Sequence, residues 1–221
     1  MFDFLDGYDL LGAFWTTVQL TVYSALGSLI WGTLLAGMKV SPVPLMRGFA
    51  TGYVNVIRNI PLTVIILFSS LGLFQTLGTS LGASDFKDIN FRLAVLSLSL
   101  YTAAFVCEAL RSGINTVPVG QAEAARALGL SFTQVLRLVI LPQAFRSVVN
   151  PLSNVLIALT KNTTIASAIG VAEASYLMKS MIENEAQLIS IAAVFAFGFV
   201  VLTLPTGLIL GWVSKKVAVK R

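Results

Sequence analysis

"QAEAARALGLSFTQVLRLVILPQAFR", Gln121–Arg146, decides how the rest of the chain is read. It carries Glu123, Arg126, Arg137 and Arg146, a glycine at 129 and a proline at 142, and it interrupts segments with almost no charge. Two short helices fit it. The first follows Pro118 and runs from about Gly120 to Leu128. Gly129 then supplies the residue type that ends a helix in the left-handed conformation. The second starts at Ser131, with Gln134 three residues on, a spacing that lets side chain and backbone cap each other. Phe132, Val135, Leu136, Val139 and Ile140 form one apolar stripe at helical spacing. Leu141-Pro142 predicts the end of that helix. Such a bent pair fits two roles: a surface element packed on its own protein, or a docking element pressed into a partner's groove.

The surroundings place this pair outside a bilayer. Of 221 residues, 56% are hydrophobic and 11% charged, with a mean hydropathy of +0.85. Soluble domains carry about 25% charged residues, so the composition is that of an all-α integral membrane protein. There is no histidine, which removes imidazole metal sites and Ser-His-Asp catalysis. The single cysteine, Cys107, excludes a disulfide framework. No phosphate-binding Gly-Lys-Ser/Thr loop is present, so no nucleotide site of that kind is expected in this chain. No catalytic or metal site is expected, and no cofactor. The acidic "MFDFLDGYD" does not read as a signal peptide.

A helix needs about 20 mostly apolar residues to cross the hydrocarbon. Phe14–Met38, Gly48–Phe74, Phe91–Leu110 and Ala192–Val213 each qualify. The second is interrupted by Arg58-Asn59 and Pro61. A weaker candidate, Ser147–Thr160, contains Pro151 and runs into "TKNTT", Thr160–Thr164. It predicts a span that stops early, followed by a short re-entrant or interfacial segment. The total is five transmembrane helices in one domain over 1–221, with a loop outside the bilayer at about 114–146.

Lysine and arginine set orientation. One face holds Lys39, Arg47, Arg111, Arg126, Arg137, Arg146, Lys215, Lys216, Lys220 and Arg221; the other holds Lys87, Arg92, Lys161 and Lys179. The skew predicts an outside N-terminus and a cytoplasmic C-terminus, and an odd number of spans agrees. Asp3, Asp6, Asp9, Asp85, Asp88, Glu173, Glu183 and Glu185 then lie outside. The net charge of +5 is therefore membrane orientation and does not mark a nucleic-acid surface.

Glu123-Ala124-Ala125, Gly129, Val139, Leu141 and Pro142 resemble, in register, the EAA loop of ATP-binding-cassette (ABC) importer permeases, with Val139 where isoleucine is usual. "RNIPL" at Arg58–Leu62, "YTAAFVCEALRSGINTVPVGQAEAARALGL" at Tyr101–Leu130 and "NVLIALTKNTTIASAIGV" at Asn154–Val171 resemble the polar amino-acid uptake branch, and the glutamate-type permeases most. The resemblance covers the chain from about Leu11 onward. It implies the type I importer permease fold, in a bacterial inner or plasma membrane. It also implies a second permease chain, with a heterodimer favoured over a homodimer. A cytoplasmic ATPase dimer would bind ATP and magnesium and receive the loop, and an extracytoplasmic binding protein would deliver the amino acid.

Ionisable residues at membrane depth are functional candidates. Arg58 lies 11 residues past Arg47, roughly 16 Å of helical rise into its span. Asn59 adjoins it, and Pro61 frees a backbone carbonyl, as in the broken helices of transporter sites. Lys161, Asn162, Thr163 and Thr164 are the second candidates. Two cations with amides and hydroxyls suit an amino acid's carboxylates. Arg58 equally fits a structural tie, and Lys161 an anchor at the outer surface. Glu108 and Arg111, three apart, fit a local ion pair or a gate. Gly27, Gly32 and Gly37 allow a neighbouring helix to approach the first span closely. The rival reading is an ATP-independent secondary carrier or channel. Such a carrier usually has ion-coupling acids within its spans, and only Glu108 lies near a span interior.

Overall fold

A computed structural model describes residues 7–217; Asp3, Asp6, Lys220 and Arg221 lie outside the described residues. The chain forms helices α1 (Leu10–Val40), α2 (Pro44–Asn59), α3 (Leu62–Thr76), α4 (Phe86–Ile114), α5 (Val119–Ala127), α6 (Phe132–Ile169), α7 (Ala174–Glu185) and α8 (Leu188–Val217). Three of them, α1, α4 and α8, cross a membrane unbroken by length and apolarity. The pairs α2–α3 and α6–α7 bend by 101° and 55°, and counting each as one span gives five.

The charges sort to opposite ends of the bundle. Acids at one end start helices: Asp9 Oδ1 accepts from Gly12 N at 2.8 Å, and Asp85 Oδ2 accepts from Lys87 N at 3.3 Å. Glu173, fully buried, accepts from Ser175 N at 2.8 Å and Tyr176 N at 2.9 Å. Each carboxylate satisfies amides left free at a helix start and sits at the positive end of its dipole. The opposite, basic end carries Lys39, Arg111 and the Gln121–Arg146 segment.

Helices α1 and α4 run parallel and form the central seam. Small residues make it. A Cβ on Gly27 would stand 2.5 Å from Ser99 Oγ, and one on Gly32 would stand 2.6 Å from Val106 and 2.8 Å from the Ala103 carbonyl. Neither position accepts a side chain, so the backbones approach as small residues permit. Around this seam, Leu20, Leu98, Ile66 and Leu159 pack toward the acidic end. Leu35, Val54, Ala104 and the buried Cys107 pack toward the basic end.

The span over Gly48–Phe74, expected to be interrupted at Arg58-Asn59 and Pro61, is broken there by a bend of 101°. Pro61 forces Ile60 into an extended conformation (φ −92°, ψ 131°), so α2 ends at Asn59 and α3 starts in a new direction. The opposite holds for Pro142, and there the expectation is corrected. The helix beginning at Ser131 does not stop at Leu141-Pro142 but continues as α6 to Ile169. Residues Val135–Ile140 just before the proline are wound in the wider π form. The wider turn absorbs the missing N–H and the ring without ending the helix. At "TKNTT" the α form ends, at Asn162, but the chain stays helical. The hydroxyls of this run fold back on their own helix: Thr160 to Leu156 O, Thr163 to Thr160 O and Thr164 to Lys161 O, at 2.7–3.2 Å. The three hydroxyls are satisfied locally, and α6 tightens to a 3₁₀ helix from Thr163 to Ile169 before Gly170 (φ +79°) ends it.

At the acidic end a buried amide ties three helices. Asn90 of α4 donates to Ile169 O at 2.7 Å and accepts from Ser70 of α3 at 3.3 Å. The last turn of α6 is thereby fixed to α4.

Candidate functional site: a knuckle, an ionic cluster and a cavity

The knuckle is the turn from α5 into α6. Gly129 has φ +86°, and its N–H and that of Leu130 donate to Arg126 O and Ala125 O. A Cβ at Gly129 would meet nothing within 4 Å, so the position needs glycine for its dihedral alone. Ser131 and Gln134 cap each other reciprocally, at 2.8 and 3.4 Å. Gln143 Nε2 donates to Gln121 Oε1 at 2.6 Å and locks α5 to α6.

The apolar stripe faces mostly inward: Val135 is buried, and Leu136, Val139 and Ile140 are half-buried. The greasy surface turned outward lies elsewhere, on Val119 (72% exposed), Leu128 (84%) and Leu138 (62%), with Phe132 and Leu141 less so. Of the motif residues, Glu123, Ala124, Gly129, Leu141 and Pro142 are exposed, Ala125 is buried and Val139 is half-buried. Exposed leucine and valine thus stand on the same segment as Glu123, Arg126 and Arg137.

Above the knuckle lies an ionic cluster around Glu108. Lys39 Nζ hydrogen-bonds to Glu108 Oε1, while Arg58 and Arg111 approach Oε2 at 3.8 and 3.9 Å. Sequence spacing pointed to Arg111 alone. Lys39 was missed because it comes from α1, and the parallel seam with α4 brings it in. Arg58 lies in the last turn of α2 and reaches Glu108, six residues before the end of α4. Its guanidinium lies 5.6 Å from the Phe105 ring centroid, a cation–π distance. One carboxylate thus faces three cations.

Phe105 also lines a cavity of about 320 Å³ with Tyr101, Thr102, Asn154, Ala158 and Asn162. Thr102 has a buried hydroxyl with no hydrogen-bond partner among the described residues. Such hydroxyls are uncommon in native interiors. Of the sequence candidates, Asn162 lines this cavity and Arg58 stacks on its wall. Lys161 is exposed, the Thr163 and Thr164 hydroxyls are spent on backbone carbonyls, and Asn59 Nδ2 donates to Asn55 O. Asn154 was missed. Asn154, Ala158 and Asn162 follow one another at steps of four on one helix face, and two asparagines two such steps apart in an apolar span were the available signal.

Residues 28–219 match the family model described as "Binding-protein-dependent transport system inner membrane component". The chain belongs to that family. The permease is 60% identical over 220 residues to the glutamate transport system permease protein GluC of Corynebacterium efficiens, covering 97% of this chain and 96% of that one. It is 32% identical to the glutamate/aspartate import permease protein GltK of Escherichia coli, over 91% and 90% of the two chains. Its fold matches the crystal structure of an amino acid ABC transporter with histidines, at a TM-score of 0.83 and 28% identity over 94% and 93% of the chains. The type I importer fold read from the sequence holds, and the permease is a membrane transport subunit of an ABC system. The secondary-carrier reading falls.

Proposed function

We propose that this permease lines the path of an ATP-driven importer of glutamate or a related polar amino acid. The motion is made by a separate cytoplasmic ATPase dimer that holds the ATP and magnesium. The observation that carries the reading is the knuckle: a locked, charged turn whose outward residues are apolar. On this reading the basic end is cytoplasmic, the N-terminus lies outside, and Glu123, Ala124, Gly129 and Leu141 meet the ATPase while Ala125, Val139 and Pro142 hold the turn's shape. The α5–α6 lock makes it a lever: moving it moves α6, and α6 carries Asn154 and Asn162 on the cavity wall. A second permease chain closes the cavity's open side, and we favour a sister permease over a second copy. An extracytoplasmic binding protein delivers substrate at the acidic end.

Within the path, Asn162 and Thr102 offer amide and hydroxyl to the amino acid. Arg58 stands at the cavity's basic-end wall, held by Glu108 and Phe105. Glu108, Lys39 and Arg111 form an inner gate whose ion pairs exchange as the helices tilt. Lys161, Asn59, Thr163 and Thr164 border the path and shape α2 and α6. Glutamate as substrate is supported by the names of the GluC and GltK relatives and by the cationic surplus beside the cavity.

The test is uptake of radiolabelled glutamate by proteoliposomes holding the permease pair, with and without the ATPase and binding protein. Uptake is expected only with both and with ATP inside the assembly's ATPase side. Uptake by the permease chains alone would overturn the proposal.

A further inference from the structure

We infer that the permease holds one acyl chain of an anionic phospholipid in a groove at its basic end. The inference rests on the reading of that end as cytoplasmic. The groove, about 420 Å³, lies between the last turns of α1, the end of α4 and the first half of α6. Gly37, Val40, Ile114, Leu141, Phe145 and Leu152 are among its walls, and all are apolar.

Gly37 forms part of the groove's wall. A Cβ on Gly37 would meet nothing within 4 Å, whereas one on Gly32, five residues earlier on the same helix, would collide with α4. At Gly37, α1 therefore no longer meets α4 within reach of a Cβ, and the groove stays open there. Phe145 and Leu141 stand exposed at the rim. An apolar cleft holds water poorly, and at the inner surface of a bilayer the apolar molecules at hand are lipid chains.

Charge selects the headgroup. Arg137 and Arg146 adjoin Leu136 and Phe145 on α6, and both are exposed. Neither lies within 4 Å of a carboxylate among the described residues, while Lys39, beside Val40, is taken by Glu108. Arg146 is level with the end of α4, since its neighbour Ser147 hydrogen-bonds Thr116 at 3.0 Å. It is placed to meet a phosphate, and basic groups at inner-leaflet helix crevices attract anionic lipids.

The experiment uses the assembled transporter in nanodiscs of mixed phosphatidylglycerol and phosphatidylcholine, read by native mass spectrometry. Wild type is expected to retain one phosphatidylglycerol per copy of this chain. Gly37→Leu, which fills the groove, should cut retention about tenfold, and Arg146→Gln should erase the preference for phosphatidylglycerol without erasing retention. Retention by Gly37→Leu at the wild-type level overturns the inference. So does loss of the ATPase from Gly37→Leu with the lipid count unchanged, which would make the groove a protein dock. Should Gly37→Leu fail to assemble, Phe145→Trp still decides. Its added fluorescence is expected to be quenched by phosphatidylglycerol brominated on the acyl chain, and absence of quenching overturns the inference. Lipid retention is read without transport, so its failure and that of the importer reading are distinct.

Discussion

The α1–α4 seam and the α5–α6 knuckle both depend on glycine, for opposite reasons. At the seam Gly32 supplies space: a Cβ would stand 2.6 Å from Val106, and the backbone dihedrals are ordinary helix. At the knuckle Gly129 supplies a dihedral, φ +86°, with open space around it. The seam is packed and tolerates no volume. The knuckle is exposed and tolerates volume but not a normal L-residue backbone. The first is how the permease holds two helices together, and the second is how it turns the chain sharply at an exposed bend.

That contrast can be broken most severely at the seam. Gly32→Val drives a side chain into a backbone carbonyl and should cost about 3 kcal/mol, seen as a lower unfolding midpoint in detergent and poor recovery from the membrane. An unchanged midpoint would mean the seam is looser than described. Next, Glu108→Gln strips the counter-charge from Lys39 and its two arginine neighbours. The expected loss is about 2 kcal/mol, discounted for Glu108's partial exposure, and Lys39→Met should restore part of it in the double mutant. Gly129→Val should cost about 1–2 kcal/mol of local strain. Membrane yield should hold while ATPase co-purification falls, and Gly129→Asn, which accepts positive φ, should retain most of it. Equal co-purification by Gly129→Val and wild type would remove the knuckle from the docking surface. Arg58→Ala should reduce glutamate uptake several-fold with assembly intact; loss of the assembled complex would make Arg58 a structural tie. The smallest effect belongs to Gly37→Ala, within about 0.5 kcal/mol, because the same residue type on the same helix faces open space there.

Local chemistry was legible where it is local. The Ser131–Gln134 capping pair, the left-handed Gly129 and the five apolar segments each depend on residues a few positions apart, and the sequence pattern holds them. The prolines were not legible as a class. Pro61 breaks its helix because Ile60 turns extended, whereas Pro142 is carried through by a π turn beginning at Val135, and nothing in the dipeptides distinguishes the two. The polar run at Thr160–Thr164 read as a break because hydroxyls spent on the helix's own carbonyls look, in sequence, like hydroxyls waiting for a ligand. Lys39 was invisible as Glu108's partner since only the parallel packing of α1 on α4 brings them together. The wall of the cavity is split between Tyr101–Phe105 and Asn154–Asn162 for the same reason.

The Asn90 tie sets where movement is possible. It clamps α6 by its last turn, while the helix runs roughly 55 Å back to Phe132 at the opposite end. Thr116 and Ser147 tie α6 to α4 again nearer the foot, so the two helices tilt together, and about ten degrees about the tip carries the foot roughly 10 Å. Movement at the foot is therefore geared down on its way up, and the face bearing Asn154 and Asn162 shifts by a fraction of the stroke.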